Sequence, residues 1–228
     1  MGINKLTLTA ELVARIAQTD CWAVSEEDIR QLACRMVGRF RVPLLRCPQM
    51  RTIVAGRKFG SDANRFGDEF GQLAHQCAAI RTCADNPDVR AAAFFHLRFE
   101  NIHPLTDCNG RVGRLILAEQ IRRSFDLPLV QTLDAIQKCE PEYRTAFVAP
   151  ELEQQFERMV RFVARIAGVS LPASTALPFS ILPIFPEKNT KLLRPKSSAS
   201  RRHGTPGTQR FQQKALAAQI KTAVSGPH

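Results

Sequence analysis

From about Leu6 to Gly168 the apolar residues recur at three- and four-residue spacing, and this period limits what the chain can fold into. A stripe at that spacing is buried by packing one face of an α-helix. "LTAELVARIAQT" and "SEEDIRQLACRMVGRF" both carry it. In the second, Ser25 is placed to cap a helix whose first turn holds Glu26, Glu27 and Asp28, acids suited to the positive end of a helix dipole. The period breaks at "RVPLLRCPQMRTIVAGRKFG". Two prolines and the β-branched run Thr52-Ile53-Val54, followed by Ala55-Gly56, predict a short hairpin or extended flap. Helix returns with "FGQLAHQCAAIR" and then "NPDVRAAAFFHLRFENI". There Asn86 reads as the cap, Pro87 as the first helical residue and Asp88 as a first-turn acid. Ala92, Phe95, His96 and Phe99 fall on one face of what should be a central, buried helix. A further helix is expected from about Asn109 to Phe125, and two more over "EPEYRTAFVAP" and "ELEQQFERMVRFVARIAG". His96 reads as a hydrogen-bonded core histidine rather than a ligand, and Tyr143 as a packing aromatic.

The chain of 228 residues suits one sizeable domain with a tail. The reading is an N-terminal helical segment over 1–49, a central domain over 50–168, and a basic, Pro- and Ser-rich tail over 169–228 that does not form a packed core. Charge supports the last division. Residues 1–168 hold 23 of the 32 Lys and Arg and 20 of the 21 Asp and Glu, a net of +3, which leaves +8 on the tail. The high isoelectric point therefore does not mark the folded part as a nucleic-acid-binding domain. Contact of the tail with nucleic acid or an acidic membrane is the alternative to a solvated extension. No run of about 18 apolar residues occurs, the N-terminus lacks the apolar core of a secretory signal, and seven scattered cysteines include no C-x-x-C pair. These features predict a cytoplasmic protein with reduced thiols; delivery into another cell as an effector stays open.

The chemistry concentrates in "HPLTDCNGRVGR", His103 to Arg114. A loop feeding a helix that starts Asn109-Gly110-Arg111 presents free backbone N–H groups and a positive dipole end, an anion site. Gly110 lets a phosphate approach the backbone, and Arg111 and Arg114, three apart, can neutralise a polyphosphate. Asp107 is placed to hold Mg²⁺ against phosphate oxygens. His103, stiffened by Pro104, could take a proton from an incoming hydroxyl. Base, metal carboxylate, anion nest and two arginines are the parts of a nucleotidyl or phosphoryl transfer site.

This segment resembles the signature of the Fic family, HPFx[DE]GNGRxxR. Seven of its nine fixed positions match, at His103, Pro104, Asp107, Asn109, Gly110, Arg111 and Arg114; Leu105 replaces Phe and Cys108 replaces Gly. "FHLRFENI", "RLILAEQI" and "EYRTAF" are also similar to family segments, so the resemblance runs over about residues 50–168. It implies an all-α helical bundle around the motif, with a small β-hairpin flap. The activity implied is transfer of AMP from ATP to a Ser, Thr or Tyr hydroxyl of a target protein, with release of pyrophosphate. His103 would then be the general base and Asp107 the Mg²⁺ ligand. Asn109 and the amides near Gly110, beside Cys108, would receive the α-phosphate, with Arg111 and Arg114 on the β- and γ-phosphates. Ile53, Val54, Ala55 and Gly56 would form the flap that aligns the target strand to strand. Other donors, such as another nucleotide, a phosphocholine carrier or a γ-phosphoryl group, and a degenerate domain that binds nucleotide or a partner without turnover, are the competing readings.

Two departures bear on that resemblance. Leu105 should point inward and fill most of the space of the family's Phe. Cys108 would strain the backbone by about 1 kcal/mol if its φ is positive. A branch of the family resembling the phage toxin kinase Doc carries Ala there, but it also replaces the next glycine, whereas here Gly110 and both arginines are intact, which favours AMP transfer. A thiol with lowered pKa, set by the helix N-terminus and the arginines, is the other reading of Cys108. The family's inhibitory motif, [ST]xxxE[GN], has its nearest match in "TLTAEL", Thr7 to Leu12, where Glu11 is followed by Leu. That stretch reads as a plain amphipathic helix, and inhibition would fall to a separate small antitoxin-like protein.

Overall fold

The computed structural model describes residues 8–37, 45–47, 50, 52–54, 57–149 and 151–171. Among these the fold is helical, with one small pair of strands. The expectation of a disordered tail falls almost entirely outside the described residues, as does the tip of the expected flap at Ala55 and Gly56.

The first two helices are α1 (Ala10–Gln18) and α2 (Glu26–Val37). Thr9 Oγ1 accepts from the Leu12 N–H at 3.2 Å and caps α1. Ser25 caps α2 reciprocally: its Oγ accepts from the Asp28 N–H at 3.1 Å, and Asp28 Oδ2 accepts from the Ser25 N–H at 3.2 Å. The strands β1 (Thr52–Val54) and β2 (Arg57–Phe59) pair antiparallel, with Ile53 opposite Lys58. A 3₁₀ turn at Ala63–Arg65 leads into α3 (Phe66–Cys83). Then come α4 (Pro87–Ile102), α5 (Asn109–Phe125), α6 (Leu129–Lys138), α7 (Glu140–Phe147) and α8 (Leu152–Ala167).

Helix α4 is the axis of the bundle, covered by α3, α5 and α8. Every residue from Val89 to Glu100 is buried. The sequence suggested one buried face; three covering helices leave none open. The buried charges on α4 are accommodated locally. Arg98 lies 3.8 Å from Glu69, and Arg90 Nε donates to the Asp85 carbonyl at 2.9 Å. Asn86 stands at the cap position but makes no side-chain cap hydrogen bond; it turns the chain with a left-handed backbone, φ 51°. Helix α6 was not anticipated, although Leu129, Thr132, Leu133 and Ile136 carry the helical period and face or flank the core. Helix α8 ends where expected, at Gly168, whose φ of 68° lets the Val169 N–H reach the Ala164 carbonyl at 2.9 Å. Leu12 and Ile16 of α1 and Ile29, Leu32 and Ala33 of α2 belong to the same apolar core as α4 and α5. Among the described residues no helix is long and apolar enough to cross a membrane.

Candidate functional site at the junction of two central helices

Six residues, His103 to Cys108, join α4 to α5. His103 ends α4 in a left-handed conformation, φ 50°, while its N–H still reaches the Phe99 carbonyl at 3.0 Å. The loop then turns on Asn109. The Leu105 N–H donates to Asn109 Oδ1 at 2.8 Å, and Asn109 Nδ2 donates to the Leu105 carbonyl at 2.7 Å. The buried carboxamide of Asn109 is committed to the loop, which leaves its backbone amide as the group placed to face an anion. Leu105 points inward and is fully buried, as its place in the motif requires, and it bridges antiparallel to Leu45.

Cys108 occupies the N-cap of α5 with φ 71°, the strained left-handed geometry that the sequence posed as a condition. Its side chain is 5% exposed, and Arg111 Nη2 lies 2.6 Å from Sγ. Burial pushes the thiol pKa up, and the nearby Arg111 only opposes this. Desolvation thus outweighs the cation and argues against the reading of Cys108 as a thiol activated by its surroundings. The N–H groups of Arg111 and Val112 both return to the Cys108 carbonyl. Those of Asn109 and Gly110, in the first turn, have no intrahelical acceptor and form the anion-facing end.

His103, Thr106, Asp107, Cys108, Asn109, Gly110, Arg111 and Arg114 line one cavity of about 300 Å³. Seven of these were singled out in the sequence, and Thr106 was not. The remaining candidates lie elsewhere: Ile53 and Val54 sit in β1, and Ala55 and Gly56 are outside the described residues. Asp107 is exposed and pairs with Arg111 at 3.5 Å. The two arginines diverge rather than lie side by side. Arg111 turns to Asp107 and Cys108, while Arg114 stands beside Gly110 and over the Tyr143 ring, 5.7 Å from its centroid. Burial holds the His103 imidazole below its ordinary pKa, and the Arg46 cation adds to this, so the ring is neutral at neutral pH.

A buried polar relay underlies the cavity. His96 is fully buried, with Nδ1 3.2 Å from the Gly113 carbonyl and Nε2 2.9 Å from the Tyr143 hydroxyl. Burial, helped by Arg114, pushes its pKa down to about 3, so it is neutral. A carbonyl only accepts; Nδ1 must carry the proton and Nε2 must accept from Tyr143. Tyr143 is thus more than the packing aromatic that the sequence suggested: it is a directed donor to His96 whose oxygen also interacts with Arg114. Glu100 lies against the same group, and a Cβ on Gly113 would collide with its Oε1.

Residues 23–121 match the model of the Fic/DOC family. This part of the chain is similar to the Fic domain. No curated protein matches the chain. The match runs from just before α2 through most of α5, so it takes in the hairpin, α4 and the whole loop from His103 to Cys108. It places the chain, at the coarse level, with the Fic-domain transferases.

Proposed function

We propose that this Fic domain is a protein adenylyltransferase. The observation that carries the reading is the meeting, in one cavity, of the His103 imidazole with the amide-bearing end of α5 and the guanidinium groups of Arg111 and Arg114. Nucleotidyl transfer needs a base for the incoming hydroxyl and fixed positive groups for the phosphates. On this reading the target hydroxyl oxygen forms a bond to the α-phosphorus of ATP and passes its proton to His103. The α–β bridging bond breaks, and its electron pair leaves with pyrophosphate. The amides of Asn109 and Gly110 receive the α-phosphate, and Arg111 and Arg114 the β- and γ-phosphates.

Mg²⁺ fits this donor set in one way. Among the described residues no group of three His, Cys, Asp or Glu side chains could hold a metal. Asp107, exposed at the cavity, is a lone carboxylate of the kind that shares Mg²⁺ with phosphates and water. The ion would supply charge neutralisation at the phosphates, and Asp107 would exchange its pairing with Arg111 for it. The hairpin β1–β2 is proposed to dock the target segment by strand addition, presenting its Ser, Thr or Tyr. A second reading, a domain that binds nucleotide without turnover, is favoured by one contact: Arg111 is held by the Cys108 thiol.

Labelled ATP separates the readings. With purified protein and a cell lysate, an α-phosphate label should move onto protein and a γ-phosphate label should not. Transfer of the γ-label alone would replace this reading with a kinase, and transfer of neither with the binding domain.

A further inference from the structure

Arg46 lies in the stretch that breaks the helical period, and the sequence gives it no role. In the fold it is 6% exposed, a buried cation, and its fork is filled with backbone carbonyls. Nε donates to the His103 carbonyl, and Nη2 donates to those of Ile102 at 2.9 Å and Ser61 at 2.8 Å. Nη1 donates to the Met50 carbonyl at 3.3 Å, and the Arg46 backbone N–H donates to the Pro104 carbonyl at 2.7 Å. The Phe66 ring lies under the guanidinium, 5.2 Å away.

The identity of the acceptors gives the arrangement its meaning. Ile102, His103 and Pro104 are three successive carbonyls at the end of α4, where a helix leaves acceptors unmatched and its dipole favours a cation. Met50 and Ser61 stand on either side of the hairpin, just before β1 and just after β2. One planar group thus grips both ends of the hairpin and the backbone of the histidine that lines the cavity. Gly60 is shaped to permit this: its φ is 93°, and a Cβ there would lie 2.5 Å from Arg46 Nη2 and 2.8 Å from Cζ. A lysine in place of Arg46 could not span these acceptors, because its donors radiate from one atom.

We propose that Arg46 is a positioning residue that fixes His103 relative to the hairpin, so that a target held on the strands meets the imidazole in register. The role rests on the adenylyltransferase reading. It also makes a statement about His103 that can be read without turnover. His103 keeps a left-handed backbone at the end of α4, and Arg46 binds its carbonyl oxygen in that conformation.

The test compares wild type, Arg46→Lys, Gly60→Ala and the double variant, with folding checked by thermal melts. First, wild type is assayed with α-labelled ATP. If label transfers, both single variants should lower kcat by about ten- to a hundredfold, as small misplacements of a reacting group do. The KM for ATP should stay within about twofold, because the phosphates are held from α5. The double variant should be no slower than the slower single variant, since both act on one contact. Losses that multiply, full activity in Arg46→Lys, or a parallel loss of ATP affinity would overturn the proposal. Second, the His103 imidazole is followed by NMR, assigned against His103→Gln. Its resonances and titration should shift in both variants while those of His75 do not. Unchanged His103 signals would also overturn it. If wild type transfers no label, the adenylyltransferase reading falls and the NMR comparison alone decides Arg46. Should Arg46→Lys fail to fold, Gly60→Ala, which retains the arginine, decides both arms.

Discussion

The Tyr143 hydroxyl donates to Nε2 of His96 across 2.9 Å, and this one bond gives a direction to the whole buried relay beneath the cavity. Because His96 Nδ1 must donate to the Gly113 carbonyl, the Tyr143 oxygen keeps its acceptor sites for Arg114. The relay therefore links a core histidine to a guanidinium that lines the cavity.

Removing the hydroxyl should show at both ends. Tyr143→Phe leaves His96 Nε2 buried without its donor, a loss of about 1–3 kcal/mol of stability. Arg114 loses an acceptor, and ATP affinity should fall by about three- to tenfold, the size of one hydrogen bond. Urea melts and calorimetric titration with ATP measure the two effects. Wild-type ATP affinity in a destabilised Tyr143→Phe would separate the relay from the site.

Glu100 makes stability depend on pH. It is 9% exposed, its Oε1 has no hydrogen-bond partner among the described residues, and burial pushes its pKa up to about 7 against an ordinary 4.5, with Arg114 only partly opposing. The folded state therefore holds a proton that the unfolded chain releases between those values. Stability falls as pH rises through that window, and the full penalty, about 3 kcal/mol as an order of magnitude, applies above it. Glu100→Gln should be more stable than wild type at pH 8, with the gap closing toward pH 4.5. His96, which resists protonation, destabilises both proteins alike at lower pH. A gap that does not change with pH would show that Glu100 is ionised throughout.

His103→Ala should abolish AMP transfer, with a loss of about 10²–10⁴ in rate, while ATP affinity stays within a few-fold. Single-turnover assays with saturating ATP and equilibrium binding check the two halves. Wild-type transfer by this variant would remove His103 from the mechanism.

The cavity was legible in the sequence because its parts are contiguous: His103 to Arg114 form one loop and two turns of one helix, and local chemistry implies an anion site. The elements were legible where amphipathic period and capping agree, as at Ser25 and Asp28. What could not be read is what depends on distant contacts. Arg46 reaches His103 across 57 positions, and Tyr143 reaches His96 across 47. The loop-closing role of the Asn109 carboxamide was hidden for a different reason: an amide near an anion site and an amide that closes its loop look the same in one dimension. Helix α6 is short, ten residues, and it escaped although the core-facing period of Leu129, Thr132, Leu133 and Ile136 was present.

Cys108→Gly tests the departure that most separates this motif from the family pattern. Cys108 holds φ at 71°, where a side chain costs about 1 kcal/mol relative to glycine. Glycine would relieve that strain and raise stability by a comparable amount, less the small apolar contact of a buried thiol. It would also free Arg111 from Sγ and clear the mouth of the amide-bearing turn. AMP transfer should therefore rise, by about fivefold if the relief is expressed in the transition state. Because burial raises the thiol pKa, wild-type activity should respond little to mild oxidant, and the variant no less. Rates are compared with and without reductant. A clear loss of rate in Cys108→Gly under reducing conditions would mean that the thiol, through its grip on Arg111, belongs to the working site.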